Sequence, residues 1–145
     1  PGREFTVGVV GTGPRARALP VMEVVLVDGK AEAGAYTYGN KALYEDRVHY
    51  CLADDGAAWH AAEVAVAAHR GLGLRDVSRV DLRLDAGGTP HFMEVNPLPG
   101  LHPGHSDLPI MCRLAGVTYR ELIAMIMESA LERLPAAMGE ATRCA

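Results

Sequence analysis

The chain has 145 residues, 49% of them apolar and 22% charged, which is enough for one globular domain with its own core. Its 18 acidic and 14 basic residues leave a net charge of −4 with no run of Lys or Arg, which argues against a nucleic-acid partner. No apolar stretch is long enough for a membrane span, and the start at Pro1-Gly2-Arg3-Glu4 lacks the sections of a secretory signal. No membrane partner and a cytoplasmic location are therefore expected.

In chain order, Glu4 to Gly11 reads as a strand, Gly13 to Arg17 as a polar turn, and Leu19 to Val27 as a second strand closed by Asp28-Gly29-Lys30. From Ala31 to Val48 the apolar period is lost, as in a long loop lying over a site. Tyr50 to Ala53 is a short strand. Asp54-Asp55 offers N-cap chemistry to an Ala-rich helix over Ala57 to Arg70, ended by Gly71 and Gly73. Arg79 to Asp85 and His91 to Pro97 flank Ala86-Gly87-Gly88-Thr89 as a hairpin. A Pro/Gly-rich loop from Pro97 to Pro109 leads to a short helical piece through Ala115. A final helix is opened by the Thr118/Glu121 capping box, with Leu122, Ile123, Ile126, Ala130 and Leu134 as its apolar face. Residues 135–145 read as a tail. Without regular βαβ alternation, the order argues for an α+β fold around a largely antiparallel sheet packed with helices. A start at Pro1, directly before a strand and without an initiator Met, suggests a fragment of a longer polypeptide.

A hairpin turn centred between Gly87 and Gly88 makes residues whose numbers sum to 175 face one another. Val80, Leu82 and Leu84 then share a core face with Met93 and Val95. The other face sets Arg79 against Asn96, Asp81 against Glu94, and Arg83 against Phe92. Two opposed carboxylates repel unless a cation lies between them or one is protonated. Magnesium prefers oxygen ligands and is commonly shared by one or two carboxylates and substrate phosphates, so Asp81, Glu94 and the Asn96 amide oxygen suit it. An ordinary amphipathic hairpin with a solvated charged face has the same pattern. The loop that follows is stiffened by Pro97, Pro99, Pro103 and Pro109, and Gly100 permits close approach of a backbone N–H to a ligand. Ser106 adds a hydroxyl beside the amides that open the next helix.

The motifs R-x-D at Arg79 to Asp81 and E-V-N-P-L-P-G at Glu94 to Gly100 resemble the metal and phosphate motifs of the D-alanine–D-alanine ligase family, within the ATP-grasp superfamily. G-R-E-F-T-V at Gly2 to Val7, Y-x-Y-x-x-K at Tyr36 to Lys41 and A-G-V-T-Y-R-E-L-I at Ala115 to Ile123 are similar to that family in the same order. The resemblance covers residues 2–134 and implies the C-terminal half of an ATP-grasp domain, with the N-terminal lobes missing. It implies a ligase that uses ATP and Mg2+ (or Mn2+) to join small amino-acid substrates into a D-alanyl-D-alanine-type dipeptide for peptidoglycan synthesis. By the same resemblance Glu4 contacts the ATP ribose and Lys41 reaches the transferred phosphate. Asp81, Glu94 and Asn96 hold two metal ions, and Arg79 with the Gly100 amide stabilises an oxyanion. Ser106 with Leu108 receives the acceptor carboxylate. Where the family often has an aromatic residue after the lysine, Ala42 and Leu43 stand here, with Tyr44 as a substitute, and the run from Gly100 to Pro109 is one residue longer. A ligase with another amino-acid acceptor, or a non-catalytic nucleotide-binding module, are the alternatives. The fragment alone is expected to be inactive, and its uncovered surfaces suggest a homodimer.

Other motifs carry less. Gly11-x-Gly13-x-x-Ala16 mimics a dinucleotide fingerprint, but Pro20 and strand-like sequence follow where a crossover helix is required. Cys51, Cys112 and Cys144 have neither disulfide-framework nor zinc spacing. His60, His69 and His91 read as surface or half-buried, and Met93, Met111, Met125 and Met127 as core fillers.

Overall fold

The computed structural model of the chain describes residues 2–26 and 48–134. Of the expected loop from Ala31 to Val48, residues 31–47, Lys41 among them, lie outside the described residues, as does the tail, while Val48 opens a strand. Strands β1 (Glu4–Val10), β2 (Arg17–Leu26), β3 (Val48–Leu52), β4 (Val77–Leu84) and β5 (Pro90–Asn96) form one sheet in the order β3-β2-β1-β4-β5. Every neighbouring pair is antiparallel. Three α-helices complete the fold: α1 (Gly56–Gly71), α2 (Asp107–Leu114) and α3 (Tyr119–Leu131). The α+β expectation holds.

Period-two alternation along β1 sends Phe5, Val7 and Val9 to one face, where they pack with Val80, Leu82 and Leu84 of β4 against Ala58, Ala61 and Ala65 of α1. Alanines at this spacing let the helix lie close to the sheet. Its start is fixed by the Asp55 carboxylate, which accepts the Ala58 N–H at 3.0 Å. On the opposite face Val10, Leu19 and Met22 pack with Leu108, Ile110, Met111 and Cys112 of α2 and Leu122 of α3. The Thr118/Glu121 capping box forms as expected. The inward face of α3 runs through Leu122, Ile126 and Ser129, however, and Leu134 lies past the helix end, 43% exposed.

The glycine-rich stretch after β1 is a structural hub. Residues Gly13–Arg15 make a 3-10 turn, and the Arg70 guanidinium donates to the carbonyls of Gly13, Pro14 and Ala16 at 3.0, 3.0 and 2.7 Å. Asp76, at φ 66°, accepts from Ser129 Oγ at 3.0 Å and is paired with Arg133, which ties the loop before β4 to α3. His69 is not at the surface: it is fully buried, with Nδ1 2.7 Å from Ser78 Oγ and Nε2 3.1 Å from the Gly11 carbonyl.

Burial holds the His69 imidazole below the ordinary histidine range, against the opposing pull of the Gly11 carbonyl. Between that lowered value and the unfolded value of about 6.5 the unfolded chain binds the extra proton, so stability rises with pH up to about 6.5 and levels off above it. His69→Gln is expected to cost about 2 kcal/mol at pH 8. It should also remove a slope that grows as pH falls below about 6.5, toward a ceiling of about 1.4 kcal/mol per pH unit. Urea unfolding of both proteins from pH 5 to 8 checks this; an unchanged slope in the variant would assign the pH dependence elsewhere.

Candidate functional site

The face of the sheet opposite α1 is covered only in part. Where α2 and α3 lie on it the core is closed. Beyond them Glu4, Thr6, Val24, Asp81, Arg83, Met93 and Glu94 border a cleft of about 280 Å³. The strand registers explain why these side chains meet. Glu4 faces Arg83 and Thr6 faces Asp81 across β1 and β4, while Asp81 faces Glu94 and Arg79 faces Asn96 across β4 and β5. Arg79, Asp81, Glu94 and Asn96 therefore share one side, as the hairpin reading expects.

Farther along, the register departs from expectation. Leu82, Arg83 and Leu84 face Phe92, His91 and Pro90, and Met93 is the extra residue of a β-bulge. The turn is centred on Gly87, one half-step from the expected position, with the Asp85 carboxylate accepting the N–H groups of Gly87 and Thr89. The bulge restores the expected pairing from Glu94 onward. Met93 is consequently no core filler: it is 60% exposed and lines the cleft beside Glu94, and Phe92 takes its place opposite Leu82.

Electrostatics are organised by Arg79, which is only 7% exposed. Its Nη2 donates to Asp81 Oδ2 at 2.8 Å and lies 3.6 Å from Glu94 Oε1, and its Nη1 donates to Asp107 Oδ2 at 2.8 Å. Thr6 Oγ1 donates to Asp81 Oδ1 at 3.0 Å. Burial works against the charged guanidinium, but Asp81, Asp107 and Glu94 together outweigh it and raise the Arg79 pKa above the ordinary arginine value. Three carboxylates around one guanidinium leave a local charge of −2. The repulsion between Asp81 and Glu94 is thus relieved by a protein cation. Among the described residues no group of three or more His, Cys, Asp and Glu side chains makes a metal cluster; two carboxylates and an amide form a more open donor set.

Glu4, at the cleft's far end, pairs with Arg83 at 3.1 Å. Asn96 Oδ1 accepts the Leu98 N–H at 3.0 Å, shaping the exit of β5, and a carbonyl oxygen keeps a second lone pair. Gly100 and Ser106 are adjacent, since a Cβ on Gly100 would stand 2.7 Å from Ser106 Oγ, which accepts the His102 N–H at 3.0 Å. The Leu108 side chain is fully buried in the core, so only its backbone N–H, in the first turn of α2, is placed for a ligand. The sequence reading misses Thr6, the pairing of Arg83 with Glu4, the turn of Met93 into the cleft and the Asp107 link to Arg79. An Asp at the first position of a helix is sufficiently explained by the helix dipole, so nothing local marks Asp107.

A family model described as the D-ala D-ala ligase C-terminus matches residues 1–128. The D-alanine–D-alanine ligase of Bordetella petrii is 40% identical over 131 residues, which cover 89% of this chain and 38% of that protein. Among solved structures, the D-alanine–D-alanine ligase from Bacillus anthracis complexed with ATP superposes with a TM-score of 0.67 at 23% identity, over 91% of this chain and 39% of that one. The VanG D-Ala:D-Ser ligase from Enterococcus faecalis gives a TM-score of 0.64 at 24% identity, over 89% and 36%. The chain spans about two fifths of the length of the curated relatives it matches.

Gly8 faces Arg79 across β1 and β4 and lies beneath α2, where a Cβ would overlap Leu108 Cδ2 and approach Leu19 Cδ1 to 2.8 Å. Gly8→Val is expected to cost about 1–3 kcal/mol by overpacking and to lift α2 with Asp107 from the sheet. Denaturant unfolding reads the first effect, and amide exchange of residues 107–112 the second; a neutral variant would show that the contact is slack.

Proposed function

The chain belongs to the D-ala D-ala ligase C-terminus family, and on that premise we propose that it supplies the metal and phosphate side of an ATP-dependent carboxylate–amine ligase. The proposed product is a D-alanyl-D-alanine-type dipeptide for peptidoglycan precursors, made in the cytoplasm where ATP is available. One observation carries this reading: a charge of −2 held around a buried guanidinium, at the rim of an open cleft with apolar walls at Val24 and Met93. Apolar walls suit a nucleobase, Glu4 suits the ribose hydroxyls, and the acidic rim suits cations that accompany phosphates.

The donors fit magnesium or manganese. Asp81 and Glu94 face one another, and the Asn96 carboxamide follows Glu94 on the same side of the sheet. These three would hold two ions. When bound, the ions would neutralise phosphate oxygens as Lewis acids. The remaining work falls to the chain itself. In the proposed reaction a donor carboxylate displaces ADP from the γ-phosphorus to give an acyl phosphate. The acceptor amine then attacks the acyl carbon, loses a proton, and expels inorganic phosphate. Lys41 is assigned to the transferred phosphate, and Arg79 with the Gly100 N–H to the oxyanion of the tetrahedral species. Ser106 Oγ and the Leu108 N–H are assigned to the acceptor carboxylate. No protein nucleophile is needed; placement and charge do the chemistry.

The acceptor is the finer question, because one fold neighbour is named for D-serine rather than D-alanine as the second residue. In a polypeptide carrying this chain with its nucleotide-binding lobes, ADP release is expected to depend on D-alanine and to match dipeptide formed. Glu94→Gln should lower turnover about a hundredfold. ADP release with no dipeptide from D-alanine or D-serine would overturn the ligase reading, and a preference for D-serine would select the alternative acceptor.

A further inference from the structure

We propose that Asp107 is a positioning residue for the metal site: by holding one arm of Arg79, it keeps that guanidinium from closing on Asp81 and Glu94 and leaves these carboxylates available to a divalent cation. The inference rests on the reading of Asp81 and Glu94 as ion ligands given above.

Asp107 is placed to do this and little else. It stands at the first position of α2, where Leu108, Ile110, Met111 and Cys112 are buried in the core, so its backbone is fixed. Its own side chain is 9% exposed and accepts from Arg79 Nη1 at 2.8 Å, with Tyr50 Oη 3.5 Å from the other carboxylate oxygen. Glu94, by contrast, is 69% exposed at its side chain and 3.6 Å from Nη2, free to swing toward a ligand. The guanidinium is a planar fork that serves two carboxylates at once only while both stay in its plane. Nε and Nη2 face Asp81, and Nη1 faces Asp107.

A divalent cation at Asp81 and Glu94 needs the same oxygens that Arg79 contacts. While Asp107 holds Nη1, Arg79 retains a full ion pair when its bonds to Asp81 loosen, so it does not have to be desolvated alone. Without the Asp107 charge, every donor turns to Asp81 and Glu94, and the internal cation competes with the arriving one. Loss of Asp107 also removes a unit of negative charge from the site, but that Coulomb effect does not pass through Arg79. A double-mutant cycle separates the two.

The test is Mn2+ binding to the 145-residue chain, followed by electron paramagnetic resonance, with circular dichroism and thermal unfolding recorded for each variant. Asp107→Asn is expected to raise the Mn2+ Kd at least about tenfold. In an Arg79→Gln background the same substitution is expected to change the Kd by less than about threefold. An equal loss in both backgrounds would show that Asp107 acts on the ion directly and would overturn the proposal, as would an Asp107→Asn Kd within about threefold of the unsubstituted chain. If Arg79→Gln does not fold, Asp107→Glu decides instead: recovery of Mn2+ affinity with the carboxylate restored supports the positioning role, and a loss as large as that of Asp107→Asn overturns it. Absent Mn2+ binding in the unsubstituted chain would overturn the metal reading and this inference together, whereas binding that is indifferent to Asp107 overturns the inference alone.

Discussion

A single buried guanidinium joins the parts of this chain that matter for its chemistry. Arg79 lies on a central strand, yet it reaches Asp81 on its own strand, Glu94 on the edge strand and Asp107 at the head of a helix. Each contact depends on a different level of structure. The Asp81 contact needs only the two-residue period of β4, the Glu94 contact needs the β4–β5 register, and the Asp107 contact needs α2 pressed onto the sheet. Taking away the arginine would leave a buried Asp107 without its partner, a loss of about 3–5 kcal/mol in comparable pairs. Stability and the charge pattern of the cleft are therefore set by the same side chain.

The sheet makes this possible by treating its two faces differently. One face packs against α1, where alanines keep helix and strands close. The other is closed at one end by α2 and α3 and open at the opposite end. Along β1 the residues facing that way are Glu4, Thr6, Gly8 and Val10, so polarity falls in the direction in which the helices cover the sheet. Gly8 stands at the boundary and gives α2 the room it requires. An open, charged cleft next to a packed core follows from that gradient within a single strand, and the packed core holds in place the strands that carry the donors.

Most of the architecture was legible because its signals are local. Alternation, the Asp55 cap and the Thr118/Glu121 capping box each specify an element within a few residues. The hairpin is more instructive. The expected pairing of Asp81 with Glu94 holds although the turn is displaced, because the Met93 bulge offsets the displacement. Nothing in the local sequence marks such a bulge, and its consequence, a methionine turned from the core into the cleft, was out of reach for the same reason. His69 was misjudged, and Asp107 passed over, for another cause. A histidine near a helix end and an aspartate at a helix start have adequate local explanations, while their actual partners, Ser78, Gly11 and Arg79, become neighbours only when distant strands assemble.

The opposed carboxylates were first reason to expect a metal ion, and the fold changes the force of that argument. Repulsion between Asp81 and Glu94 does call for a cation, but Arg79 meets the call, so the ion is not a condition of folding as it is in small metal-built domains. What remains is a charge of −2 with one exposed, movable carboxylate in Glu94. A site of that kind holds a divalent cation weakly on its own and strongly when phosphate oxygens complete the coordination. Under the proposed reading, the ion then enters and leaves with the nucleotide, as repeated turnover requires, while the arginine keeps the carboxylates in place between cycles. Substituting a tighter carboxylate cluster for this arrangement would hold the metal more firmly and release the products more slowly; a resident arginine instead keeps the bare site weak and lets affinity rise with the arrival of phosphate.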